Sequence, residues 1–246
     1  MIEFKQVSKL YGENEALCSL NLQIRDGEIF GLIGHKGAGK TTAFSILTSI
    51  VEATSGELYV DDLLLSSNRD NIKKKIGYVP DSPDVFLNLT ANEYWHFLAH
   101  LYEVPKNNLE ARLEKLSQLF DLSEQKNETL SSFSQEMRQK AIIIGALISD
   151  PDIWVLDEPL TGLDPQTSFD LKEMMREHAK NGKTVLFSTH VLSVAEQLCH
   201  RIGILKKGKL IFVGSLEELK QQYPGQDLEA IYLKLAGHQA ETEVSR

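Results

Sequence analysis

The chain has 246 residues, 42% hydrophobic and 25% charged, the balance of an ordinary globular protein long enough to bury a sizeable core. A formal net charge of −9 argues against a general nucleic-acid binder, because phosphate backbones need a basic surface, and it counts against broad contact with anionic lipid. Two cysteines, Cys18 and Cys199, form no framework of spaced pairs and read as free thiols in a reducing compartment.

Met1-Ile2-Glu3-Phe4-Lys5 does not read as a signal peptide. The longest uncharged apolar run, Ala141 to Ser149, is well short of the ~20 residues of a membrane span. Ile2–Val7, Leu20–Ile24 and Glu28–Ile33 read as strands, with Asp26-Gly27 as the turn between the last two. After a glycine-rich loop, Lys40–Ser49 has helical spacing and is broken by Ser55-Gly56. Glu57–Val60 and Ile76–Val79 read as further strands, the second stopped by Pro80.

Thr90-Ala91-Asn92-Glu93 fits a capping box and opens a helix to about Tyr102. Lys106–Phe120 and Ser134–Ser149 are two more helix candidates, so about 82–150 is expected to be mainly helical. The α/β pattern then resumes with the buried-strand run Ile153–Leu156. Asp164-Pro165 supplies an N-cap and an N1 proline for a helix that stops near Asn181-Gly182. Thr184–Ser188 is a strand and Leu192–Cys199 a helix. Ile202–Leu205 and Lys209–Val213 flank a hairpin turn at Lys207-Gly208. Ser215 to Glu218 is another capping box, and the tail after Pro224 carries weak signals and is expected to be partly mobile.

Two motifs carry chemistry. Gly34-His35-Lys36-Gly37-Ala38-Gly39-Lys40-Thr41 satisfies G-x-x-x-x-G-K-[ST] between a strand and a helix, the context that confirms a phosphate-binding loop. Its glycines let backbone N–H groups point at phosphate oxygens, and the helix N-terminus adds partial positive charge. Lys40 is expected to reach the β- and γ-phosphates of a nucleotide, and Thr41 to ligate Mg²⁺, with Thr42 beside it. Ile153-Trp154-Val155-Leu156-Asp157-Glu158 is a buried strand that delivers two carboxylates at its end. Asp157 is expected to hold Mg²⁺ and Glu158 to polarise an attacking water as general base.

With these two motifs on the page, the chain resembles the nucleotide-binding subunit of an ATP-binding-cassette (ABC) transporter over roughly residues 1 to 220. The resemblance rests on several motifs in order. Tyr11 in "SKLYGENEAL" matches the aromatic residue that stacks on adenine. Leu163-Asp164 in "TGLDP" matches the D-loop at the dimer interface. His190 in "STHVL" matches the switch histidine at the γ-phosphate, and "FSQEMRQK", Phe133 to Lys140, sits where the family signature lies. The resemblance implies an α/β fold: a P-loop NTPase core with an antiparallel β subdomain and an inserted helical subdomain. It places the ATP-binding domain at 1–222, with the helical insertion at about 82–150, and a C-terminal tail at 223–246.

The resemblance further implies an ATPase of MgATP. Two such domains close head to tail, each ATP lying between the phosphate loop of one and the signature of the other. Closure moves a transmembrane permease subunit on a separate chain, so the protein is expected at the cytoplasmic face of the cell membrane. Site residues carried over are Glu158 and His190 for catalysis, and Tyr11, Gly34 to Thr42, Ser134 and Glu136 around ATP. Thr41, Asp81 and Asp157 would face the metal. The exposed part of "NEYWHF" is a candidate for the permease contact, against the alternative that Tyr94, Trp95 and Phe97 are local core. "LDEPLTGLDP" and the compact length look most like the exporter branch.

Three positions depart from the family pattern. The signature's Ser-x-Gly reads Ser134-Gln135-Glu136, so a carboxylate stands where a glycine should meet the γ-phosphate. Two unit charges about 6 Å apart at an effective dielectric near 20 repel by roughly 3 kcal/mol. If Glu136 stays there, closure weakens by roughly 100-fold. Asp81 replaces a usual glutamine, and as an oxygen ligand it still suits Mg²⁺. Lys36 replaces a usual asparagine and, across a sandwich, would face Glu136 with opposite charge. Either the two compensate one another or they slow the site independently. Two other readings therefore stand beside the transporter ATPase: a soluble ABC ATPase without a membrane partner, and a non-hydrolysing regulatory subunit. Homodimer and heterodimer are equally open. His96 and His100, at i and i+4, have metal-ligand spacing but no third ligand and read as ordinary surface or packing.

Overall fold

The computed structural model describes residues 1–237. β1 (Ile2–Tyr11) and β2 (Asn14–Ile24) form a hairpin, β3 (Ile29–Ile33) follows, and a loop leads into α1 (Lys40–Leu47). β4 (Ser55–Val60), β5 (Leu63–Leu64) and the short helix α2 (Arg69–Lys73) lead to β6 (Ile76–Val79). α3 (Ala91–Leu101), α4 (Lys106–Leu119) and α5 (Gln135–Leu147) separate β6 from β7 (Ile153–Leu156). The chain then runs through α6 (Pro165–Lys180), β8 (Thr184–Thr189), α7 (Leu192–Leu198), β9 (Arg201–Lys206) and β10 (Lys209–Gly214). It ends in α8 (Leu216–Gln222) and α9 (Leu228–Ala236).

The strands make two sheets. One is antiparallel in the order β2-β1-β4-β5. The other runs β10-β9-β3-β8-β7-β6 and is parallel except for β10 at its edge. The antiparallel sheet follows from alternation: Ile2 faces Ile24, Phe4 faces Leu22 and Val7 faces Leu20, all of them buried. The central strands of the parallel sheet are apolar throughout because both their faces are covered. In β7, Ile153 and Val155 join the core shared with α1 and the antiparallel sheet, whereas Trp154 and Leu156 join the core under α5 and α6. β8 divides in the same way, Leu186 to one side and Val185 and Phe187 to the other.

This arrangement positions the site. β3, β6, β7 and β8 are parallel, so the residues after all four emerge at one edge of the sheet, the carboxyl edge where open α/β sheets hold ligands.

The helical lobe begins at the capping box read from the sequence: the Thr90 hydroxyl accepts from the Glu93 N–H, and the Glu93 carboxylate accepts from the Thr90 N–H. Tyr94 and Trp95 are core, and the Trp95 indole donates to the Ala141 carbonyl at 2.9 Å. Phe97 alone of that aromatic run is exposed, against the equally exposed Phe86. α5 crosses β6 so closely that a Cβ on Gly77 would lie 2.3 Å from the Ala146 carbonyl oxygen.

One segment carries no assignment from the sequence and two differ from it. Lys73 ends the short helix α2, which buries Ile72, and Lys74 and Lys75 pair with Glu103 and Asp61. Five residues are too few to show a 3.6 periodicity. β2 starts at Asn14, well before Leu20, because pairing with β1 carries it through Glu15 and Leu17. Beyond Pro224 the chain forms α9, capped by Asp227, with Leu228 and Ile231 packed with Ile33 and Ile204. The rest of the tail, 238–246, lies outside the described residues. His96 bonds Asn92 and Glu110, and no metal-binding cluster occurs among the described residues. Cys18 and Cys199 are free, and burial pushes the Cys199 thiol up.

Two outcomes follow. Gly77→Ala forces α5 off β6 and is expected to lower stability by about 1–3 kcal/mol in urea unfolding; an unchanged midpoint would contradict the close approach. His178 stacks on Trp154 at 4.0 Å, and burial, aided by the charge of Lys183, lowers its pKa from 6.5 to about 4. The unfolded chain therefore binds the extra proton first. Stability is expected to decline as pH falls from 6.5 towards 4, and His178→Phe to decline less over that window.

Candidate functional site

The phosphate loop leaves β3 at Gly34 and enters α1 at Lys40. Gly39 caps that helix at φ +110°, and a Cβ there would meet the Ala16 carbonyl oxygen at 2.5 Å, so only glycine fits. No side chain caps α1, which leaves its first-turn N–H groups open to an anion. Lys40 is buried beneath them. Its ammonium donates to the Gly34 carbonyl at 2.6 Å and to the His35 carbonyl at 3.4 Å, and lies 3.3 Å from Glu158 Oε1.

From β7 come the two carboxylates. Asp157 is buried, its Oδ1 bonded to the Ser188 hydroxyl on neighbouring β8, while its Oδ2 is buried with no partner among the described residues. Burial raises its pKa, and the hydrogen bond from the Ser188 hydroxyl, with the Thr41 hydroxyl nearby, opposes that rise. The same Ser188 hydroxyl accepts from the Glu158 N–H at 2.8 Å. That bond secures a strained residue, because Glu158 has φ +49°. The result is a carboxylate placed between two nitrogen groups: Oε1 towards Lys40, and Oε2 2.9 Å from His190 Nδ1.

A cleft of about 870 Å³ collects Tyr11, His35 to Thr42, Asp81, Asp157, Glu158 and His190. Gly34 lies just behind it, its carbonyl bonded to Lys40. Tyr11 stands exposed at the rim, with the Lys9 ammonium 5.1 Å from its ring. Ser134 and Glu136 do not line the cleft. Ser134 caps α5, accepting from the Met137 N–H, and Glu136 pairs with Lys140 at 2.9 Å.

The sequence reading missed four contributors. Asn14 to Ala16 and the Lys207-Gly208 turn also line the cleft, the turn tied to the phosphate loop by the Gly208 N–H donating to the Ala38 carbonyl. Ser188 carries no motif signal, because its contact depends on strand register. Lys140 was legible, since it follows Glu136 by four residues.

The residues at the carboxyl edge fit the requirements of a triphosphate and a divalent cation. Open N–H groups and a buried ammonium suit phosphate, and a buried, half-unpartnered carboxylate beside a threonine hydroxyl suits the cation. Comparison with known proteins agrees. The family model described as ABC transporter matches residues 17–161. The ABC transporter ATP-binding protein NatA of Bacillus subtilis (strain 168) is 33% identical over 220 residues, 89% of each chain. A solved ATP-binding subunit of an ABC transporter superposes with a TM-score of 0.90 at 30% identity, covering 96% of this chain and 99% of that one. A dimeric ATP-binding cassette in a post-hydrolysis state with ADP and Pi superposes with a TM-score of 0.79 at 28% identity, covering 88% and 99%.

The chain belongs to the ABC transporter family. It is an ATP-binding subunit of that family, an ATPase of the cassette type. Among the described residues no helix is long and apolar enough to cross a membrane.

Ser188→Ala removes a partner of buried Asp157 and of the Glu158 N–H together. It is expected to cost about 1–3 kcal/mol in denaturant unfolding, and an unchanged midpoint would contradict the assigned bonds.

Proposed function

We propose that this subunit binds MgATP in the cleft and hydrolyses it with Glu158 as general base. The observation that carries the reading is the double hold on Glu158, by Lys40 on one oxygen and His190 on the other. A carboxylate so held has little rotational freedom, so it meets a water at the γ-phosphate without reorganisation. Tyr11 stacks on the base, the backbone from Gly34 to Thr42 cradles the phosphates, and Lys40 neutralises their charge. Thr41, Asp81 and Asp157 would hold Mg²⁺, which when bound neutralises charge shared by the β- and γ-phosphates. His190 orients Glu158 and faces the γ-phosphate.

In this reading two cassettes close head to tail, and Ser134 and Glu136 of one meet the ATP of the other. The dimeric cassette with ADP and Pi among the structural relatives supports association of two cassettes. The work is passed to a permease subunit on a separate chain, of the exporter type, at the cytoplasmic face of the membrane. The cassette corresponds to 1–222, with its helical insertion at about 82–150 and the C-terminal segment at 223–246 as an appendage.

Glu158→Gln keeps the shape and removes the base. MgATP affinity is expected to stay within a few-fold while steady-state turnover falls about 10²–10⁴-fold. Turnover equal to that of the wild type would remove Glu158 from the reaction.

A further inference from the structure

Glu136 stands in the first turn of α5, where the family signature places a glycine, and its side chain is not left facing outward. Its Oε1 lies 2.9 Å from the ammonium of Lys140, one turn further along the helix, and accepts from the Asp164 N–H at 3.4 Å. Lys140 makes a second ion pair, 2.9 Å to Asp164 Oδ2. The cation is the inner member: its side chain is 11% exposed, against 36% for each carboxylate. Asp164 has its own anchor as N-cap of α6, accepting from the Thr167 N–H and hydroxyl. The carboxylate at position 136 is therefore drawn C-terminally along α5 and onto the loop that opens α6. Ser134 remains at the exposed N-terminal end with its hydroxyl on the Met137 N–H.

We propose that Lys140 is a positioning residue that holds the Glu136 carboxylate against the α6 N-cap, so that the ATP of a second subunit meets the Ser134 end of α5 instead of an unpaired negative charge. The proposal rests on the head-to-tail reading above. The cluster of two carboxylates and one ammonium keeps a net charge of −1, one unit less negative than without Lys140, and it holds the Glu136 charge on the α6 side, so repulsion of the triphosphate is smaller than from a carboxylate free at the tip of α5. The cation paired with Glu136 is in the same subunit, so the carboxylate has its partner before closure. The bridge also ties the start of α5 to the start of α6, so the two segments move together.

The test is ATP-driven dimerisation by sedimentation, in a Glu158→Gln background that preserves the ATP-bound state. Lys140→Met is expected to weaken association about 10- to 100-fold when Glu136 is present. In Glu136→Gln the same substitution is expected to change it less than about threefold, and Lys140→Arg to restore it beside Glu136. Unfolding midpoints without nucleotide separate a folding defect from a dimerisation defect. Equal losses in both Glu136 backgrounds would overturn the role of Lys140 and make it a purely structural residue. Failure of the Glu158→Gln/Glu136→Gln protein to dimerise with ATP would overturn the sandwich of two copies itself.

Discussion

A single buried ammonium organises this molecule's working edge. Lys40 is held by two carbonyls of the loop that precedes it and by Glu158 from a different strand. A charge so far from water is tolerable only because each of its hydrogens has an acceptor. Those acceptors fix the curl of the loop, and the curl fixes the direction of the N–H groups at the start of α1. The glycine-rich loop and the Glu158 carboxylate are thus located by one interaction.

The sheet supplies the rest. Parallel pairing of β3 with β8 and of β8 with β7 puts Gly34, His190 and Asp157-Glu158 at successive strand ends. Ser188 then couples β8 to β7 by bonding both Asp157 and the Glu158 N–H, so a shift of one strand end moves the two carboxylates together. The strained backbone at Glu158 persists because Ser188, Lys40 and His190 over-determine it. The signature segment lies outside this cleft, at the start of α5, where Ser134 is exposed.

Much of this was legible in the residues. The phosphate loop and the Asp157-Glu158 pair are contiguous, and their flanking strands and helix gave the context that made them specific. The capping boxes at Thr90 and Ser215 and the Asp164-Pro165 start appear in the structure as read. What escaped was short or non-local. α2 is five residues long, the early part of β2 is defined by pairing more than by pattern, and α9 is held by contacts with Ile33 and Ile204. Ser188 is thirty residues from Glu158 in sequence and its role exists only through register. Glu136 shows a different failure: its charge was weighed against a distant phosphate while a lysine one turn away, plain in the helical spacing, already paired with it.

The most direct test of Lys40 as the organising charge is the affinity for MgATP of the wild type and of Lys40→Ala, by titration calorimetry, with folding monitored in parallel. A buried charge partner removed from a polyanion site is worth about a hundredfold or more in affinity. A loss of that size in a protein that still folds is the predicted result. Unchanged affinity would mean that the triphosphate is not held at the start of α1, and the assignment of this cleft would be wrong.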